Sequence, residues 1–512
     1  MNTEAQASLG DRLVAPVTNI SDFIWGGTWN GEPVIPIPPL AVILLGVGLW
    51  FMIGLRFYPI AKLGSAFAGL FKGRKSAGQG EISPFAALST ALSGQVGTGN
   101  LAGVATAIAL GGPGAVFWMW VTALFGMALA FGEGSLAIRY REHTSDGTYR
   151  GGPMSYIMLG LGPKWRWLAV VFCLGTLFSA LVTGNSIQSN EVASGLNELF
   201  GWERWVGGLV VAGAVFIVII GGIKSIGSVA DKIVPVMAAC YVVMAATALI
   251  LNAPDLPETF GRIFGGAFNT QSATGGFAGA AIIIAIRAGT ARGLFSNEAG
   301  QGSTPIAHAV AQTDDPEQQG RMAMLGTFID TIVICTMTAL VILTVEGDFT
   351  YQGQAVKHVW QSDLGTTAQS GFVTTSGAFA AAFPFEIGGI PLGTLVASLA
   401  LILFVFTTLL TWSYYGERAI TFLYDRIPGS TRGGERTLHI AWRVLWCIGI
   451  FIGATLPSQL VWRFGDISNA TMVLPNLLAL MLLSGVVFKL ARGDRTAGRD
   501  YHAQTPEEPE EY

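Results

Sequence analysis

Two stretches of this chain carry glycines and polar side chains where a membrane helix would be smooth. Residues 84–112 read PFAALSTALSGQVGTGNLAGVATAIALGG, with Gly94, Gly97 and Gly99 set beside Gln95, Thr98 and Asn100. A glycine inside a helix costs up to about 1 kcal/mol against alanine. In membranes glycine also serves close helix packing, but its alternation with polar residues at mid-depth favours an unwound segment. Lipid cannot satisfy free backbone groups, so such a segment must line a protein cavity. The half-helix ending near Val96 then leaves carbonyl oxygens that suit Na⁺. The half-helix starting near Asn100 leaves N–H groups and a positive dipole end that suit a carboxylate. One break thus offers a cradle for a zwitterion travelling with a cation.

The second stretch, residues 275–303, reads GGFAGAAIIIAIRAGTARGLFSNEAGQGS. Laid under the first, Phe277 matches Phe85, and Gly289–Thr290 falls beneath Gly97–Thr98, which predicts a second break at Gly289–Thr290. Charges within spans are functional candidates by default. Arg287 has two readings, contact with a substrate carboxylate or neutralisation of an acid such as Glu298. Glu133 and Asp330 either pair with a basic residue or relay protons, and Asp330 could also cap or bridge helices.

These residues need elements long enough to cross a bilayer. Of 512 residues, 51% are apolar and only 12% charged, about half the charged share of soluble domains. A ruler of about 20 apolar residues per crossing gives eleven spans, near 39–57, 84–110, 113–138, 167–186, 206–222, 233–251, 276–292, 322–345, 392–415, 444–458 and 470–490. With the N-terminus outside, 23 of the 29 Lys and Arg fall in inner segments and five in outer ones, Arg287 lying within a span, as the positive-inside rule requires. The two interrupted spans are five apart and cross in opposite directions. Spans two to six and seven to eleven then form two five-helix units of opposite topology, the pattern that places a transport site near the bilayer midplane.

The chain resembles the alanine/glycine:cation symporters. The resemblance rests on GTGNLAGVATAIALGGPGAVFWMW (97–120), GGPMSYI (151–157), RGLFSNEAGQGS (292–303), TWSYYGE (411–417) and LPNLLALMLLSGVV (474–487), strings that span nearly the whole apolar region. It implies an all-α membrane protein of LeuT type, a 5+5 inverted repeat with one extra N-terminal helix. Backbone N–H groups around Thr98, Gly99 and Asn100 would then hold a substrate carboxylate, with Gly289 and Thr290 at the second break. The carbonyls of Ser93, Val96 and Phe404 and the hydroxyls of Thr407 and Thr408 would surround Na⁺ with hard oxygen ligands. Read locally, the two threonines bond back to their own helix. In the fourth span Asn185 and Gln188 lie three apart on one face. The Gln188 amide oxygen can accept from a substrate amino group or join helices.

The expected organisation is a lead-in over 1–38 outside the membrane, an extra helix over 39–58, repeats over 84–251 and 276–490, and a cytoplasmic tail over 491–512. The loop from 346 to 391 is mostly apolar, and in this fold type it resembles a plug of the outer vestibule. The expected activity is uptake of alanine, glycine or a similar small neutral amino acid, coupled to Na⁺ or alternatively H⁺, by a multi-pass protein of the cell (inner) membrane working as a single chain. An ion channel is the rival class, since broken helices also line filters. An enzyme would need a nucleophile–base pair or metal cluster, and the five histidines show no metal spacing. A net charge of −4 argues against a nucleic-acid partner. The isolated cysteines Cys173, Cys240, Cys335 and Cys447 read as small buried residues, and no organic cofactor is expected.

Overall fold

A computed structural model describes residues 9–35, 37–72, 78–143, 148–268, 278–363 and 371–498. The first residues of the lead-in, the Phe277 match and the acidic TPEEPEEY tail fall outside the described residues. Helices dominate. α1 (Leu9–Gly26) precedes α2 (Pro39–Gly54), whose first turn holds Pro39, a position where a missing N–H costs nothing. The broken second element is α3 (Pro84–Gln95), a π-helical turn over Gly99–Gly103 and α4 (Val104–Gly111). Then come α5 (Gly114–Arg139), α6 (Arg166–Leu181), α7 (Ile187–Phe200), α8 (Arg204–Ile219) and α9 (Gly222–Leu251).

The later elements are α10 (Ala278–Asn297), the short α11 (Thr304–His308), α12 (Pro316–Thr327) and α13 (Thr336–Thr344), the last two joined by a π-helical stretch over Phe328–Cys335. After them come α14 (Gly371–Ala382), α15 (Leu392–Tyr424), α16 (Arg432–Thr455) and α17 (Ser458–Leu490). Ser83 starts α3 as an N-cap, accepting the Ala86 N–H at 3.1 Å.

Among the described residues, seven helical runs are long and apolar enough to cross a membrane: α5, 163–200, α9, 316–344, α15, α16 and α17. Pro39–Gly54, Gly99–Gly111 and Arg204–Ile219 are shorter apolar helices. Several runs outlast the expected spans, because an apolar ruler measures lipid thickness rather than helix length. The fourth continues from α6 through a π turn over Val182–Ser186 into α7, so Gln188 sits inside a long run and not at its end. Large side chains such as Phe51, Phe131, Trp412 and Tyr415 lie fully buried, whereas Ile217, Val243 and Ile250 face outward, the inversion expected where lipid is the solvent. The 346–391 segment folds as a hairpin, Glu346–Tyr351 against Gln354–His358, followed by α14.

Candidate functional site

Helix α3 stops where the sequence predicts. Val96 turns to an extended conformation (φ −77°, ψ 91°), and regular helix resumes only at Val104. Side chains take up the freed donors. Asn100 Oδ1 accepts the Gly97 N–H at 2.9 Å, and Gln188 Oε1 on α7 accepts the Thr98 N–H at 3.0 Å. The freed Val96 carbonyl accepts Thr408 Oγ1 of α15 at 3.2 Å. Thr408 also reaches the Phe404 carbonyl at 2.9 Å, and Thr407 Oγ1 lies 3.0 Å from that same oxygen. Val96, Phe404, Thr407 and Thr408 thus meet between α3 and α15, and both hydroxyls also bond back to their own helix. Ser93 joins the same seam through its hydroxyl, which pairs with that of Thr411. Asn185 turns to the Trp446 carbonyl at 2.9 Å and so serves helix packing.

The second break is displaced from its predicted place. α10 runs without interruption through Gly289 and Thr290. There Gly289 lets α10 approach α5 closely, since an added Cβ would lie 2.7 Å from Trp118 Cβ. Thr290 is buried in the same run, and its hydroxyl finds no partner among the described residues. The helix breaks only after Asn297, where Glu298, Gly300 and Gly302 adopt positive φ of 55°, 82° and 85°. Glycine enters this region freely, and a glutamate must be held there. Ser303 Oγ and the Trp412 indole N–H, the latter at 2.9 Å, bond the Glu298 carboxylate. Glu133 of α5 accepts the N–H groups of Gly300 (3.2 Å) and Gly302 (3.0 Å) and the Asn476 amide at 2.6 Å. A carboxylate thus caps the second break, as a helix start favours.

The two breaks touch. Gln95 Nε2 donates to the Asn297 carbonyl at 2.6 Å. Asp330, in the π-helical stretch, accepts Asn100 Nδ2 at 2.7 Å and the hydroxyls of Ser296 and Thr331 at 2.8 Å each. It is fully buried and, among the described residues, has no basic partner. Its carboxylate therefore joins Asn100, within the first break, to Ser296, in the last turn of α10 before the second. Gln95 Oε1, Thr98 Oγ1 and the Tyr415 hydroxyl are buried near the breaks without a partner among the described residues. Orphan polar atoms of this kind mark places where a polar guest completes the bonding.

Arg287 serves neither of its expected partners. It pairs with Asp22 of α1, because a break that falls after Asn297 leaves Arg287 in an intact helix, well before Glu298. Arg292, one of the 23 Lys and Arg that the span count assigns to inner segments, lies in α10 before the break and pairs with Asp466 of α17 at 3.0 Å. Thr375 of α14 donates to the Leu101 carbonyl at 2.9 Å, which brings this part of the 346–391 loop against the first break. Sequence reading missed Ser296, Phe295 and Trp412. For Ser296 and Phe295 the signal was the glycine pair 300 and 302 just beyond them, whereas Trp412, on α15, reaches the break only by tertiary contact.

A family model described as the sodium:alanine symporter family matches residues 27–511. The chain belongs to the sodium:alanine symporter family. It is 39% identical over 478 residues to the sodium/alanine symporter AgcS of Methanococcus maripaludis, covering 93% of this chain and 96% of that one. It is 36% identical over 471 residues to the probable sodium/glutamine symporter GlnT of Bacillus subtilis, with 91% and 88% covered. Among solved structures, MhsT in complex with L-phenylalanine superposes with a TM-score of 0.52 at 13% identity, over 83% of this chain and 93% of that one. A manganese transporter of Eremococcus coleocola does so with a TM-score of 0.50 at 12% identity, over 82% and 88%. These two share the fold alone. As a member of the symporter family the chain is a multi-pass, cation-coupled amino-acid transporter and not an enzyme.

Proposed function

We propose that this symporter couples inward Na⁺ movement to uptake of alanine, glycine or a similarly small neutral amino acid by alternating access. In this reading eleven spans form two inverted five-helix units after one extra helix, the N-terminus lies outside, and one chain suffices. The observation that carries it is Asp330, a buried carboxylate held by Asn100 and Ser296 from the two breaks and by no basic residue among the described ones. A buried charge without a counter-ion is costly, and a travelling cation removes that cost at the point where both broken helices meet. The oxygens of Val96, Phe404, Thr407 and Thr408 form a second, neutral oxygen cluster of the kind alkali cations accept. Substrate would bond the backbone at Thr98–Asn100 by displacing Gln188 Oε1 from the Thr98 N–H, which frees that amide oxygen for the amino group, beside the newly placed Ser296.

The test is uptake of labelled alanine, glycine and glutamine into proteoliposomes under an imposed Na⁺ or H⁺ gradient. Na⁺-driven accumulation of the two smaller amino acids is expected. Accumulation driven by H⁺ alone would assign Asp330 to a proton, and failure of both gradients would remove the reading. Thr408→Ala deletes one bond to the break. It is expected to raise the Na⁺ concentration for half-maximal uptake several-fold while lowering folding stability by about 1 kcal/mol. An unchanged Na⁺ activation curve would count against the α3–α15 ion site.

A further inference from the structure

α1 contributes to neither break, yet its last two turns are tied into the helices around them. Asp22 pairs with two arginines on different helices, Arg287 of α10 and Arg463 of α17, the second at 2.7 Å. Ser21 Oγ reaches Asp466 of α17 at 3.4 Å, and the Trp25 indole N–H donates to the Asp466 carbonyl at 3.0 Å. Trp25 is itself 2% exposed, so this end of α1 is packed down rather than loosely laid. Asp466 in turn holds Arg292 of α10. Arg292 lies over the Trp462 ring at 4.7 Å, and Trp462 packs on Phe295, the residue just before Ser296, with ring centroids 4.9 Å apart. The seam between α10 and α17 is thus closed in two layers. Phe295, Trp462, Arg292 and Asp466 form the inner layer, and α1 crosses over it.

We propose that α1 is a gating strap, which holds α10 to α17 and biases the symporter toward the state closed on the side that carries α1. The inference rests on the transport reading for its purpose and on the charge count for placing that side outside. Parting α10 from α17 separates Arg287 from Arg463, and one Asp22 carboxylate cannot follow both. Opening therefore breaks at least one ion pair of Asp22 before the ring pair beneath it separates. The strap thus sets an equilibrium between closed and open states rather than contacting substrate, and weakening it shifts the populations.

The test reads opening directly, without transport. Phe295→Cys, in a background whose four native cysteines are replaced by alanine, is labelled in right-side-out vesicles by a membrane-impermeant methanethiosulfonate. Asp22→Ala is expected to raise the labelling rate about five-fold, the scale of a partly exposed ion-pair cluster. Asp22→Lys is expected to raise it at least as much. Arg287→Asp with Arg463→Asp, added to Asp22→Lys, restores opposite charges and is expected to return the rate to that of the parent. An unchanged rate in both Asp22 variants overturns the proposal. So does a raised rate that the double reversal leaves raised, since that marks general loosening. Because labelling needs neither Na⁺ nor amino acid, a failure here stays distinct from a failure of the uptake experiment.

Discussion

Asp330→Asn is expected to abolish Na⁺-driven accumulation while the chain still folds. The substitution keeps the shape of the group. Its amide oxygen can still accept Asn100 Nδ2, which now lies 2.7 Å from Asp330 Oδ1, and its amide nitrogen can donate to the hydroxyls of Ser296 and Thr331. What disappears is the negative charge. For the folded protein without cation that loss is mild, because no basic residue among the described ones is left unpaired by it. For the cation-loaded state it is severe. Removing one partner of a buried charge pair costs about 3 kcal/mol or more, which is a loss of about 100-fold in cation affinity. The measurement is the Na⁺ activation curve for alanine uptake in proteoliposomes, beside thermal unfolding of the same sample. A curve like that of the parent would show that Asp330 is structural, and the proposed coupling would lose its main support. Asp330→Glu keeps the charge but moves it by one methylene, so partial recovery is expected there.

The first break was legible because three signals agreed. Glycines, polar neighbours and mid-membrane depth all fell on residues 94–100, and the structure interrupts the helix there. The second was misplaced because the register was set by a short similarity to the first. Gly289 is a packing glycine against Trp118, and only positive φ at Glu298, Gly300 and Gly302 marks real unwinding. Both uses draw on the same missing Cβ, so composition alone does not separate them. The pairing of Asp330 with Asn100 and Ser296 joins residues more than thirty positions apart in sequence, and nothing local announces it. Gln188 was found as a polar residue on the right helix. That it spends its oxygen on the Thr98 N–H is a fact of tertiary contact. Arg287 shows the same limit, since its partner Asp22 lies in a segment that reads only as an amphipathic lead-in.

Gly97→Ala is expected to reduce uptake by two orders of magnitude or more without unfolding the protein. A Cβ at position 97 would lie 2.6 Å from Thr408 Oγ1 and 2.9 Å from Gln188 Oε1, and contacts this short force something to move. Neither neighbour is free to do so. Thr408 is held by the carbonyls of Phe404 and Val96, and Gln188 by the Thr98 N–H and, through Nε2 at 3.3 Å, by the Thr183 carbonyl. If Thr408 turns away, the Val96 carbonyl loses its bond. If Gln188 turns away, the Thr98 N–H does. Overpacking of this kind costs roughly 1–3 kcal/mol, which a helical protein of this size survives, but a displacement near 1 Å at a binding site can cost about 10²-fold in rate. The control is Gly485→Ala on α17, where an added Cβ meets nothing within 4 Å, and its uptake is expected to match that of the parent. Uptake and Na⁺ activation are measured for both, with unfolding temperature alongside. Normal uptake by Gly97→Ala would mean that the gap between α3, α7 and α15 has slack, and a site with slack there could not hold a small amino acid and its ion in the geometry argued here.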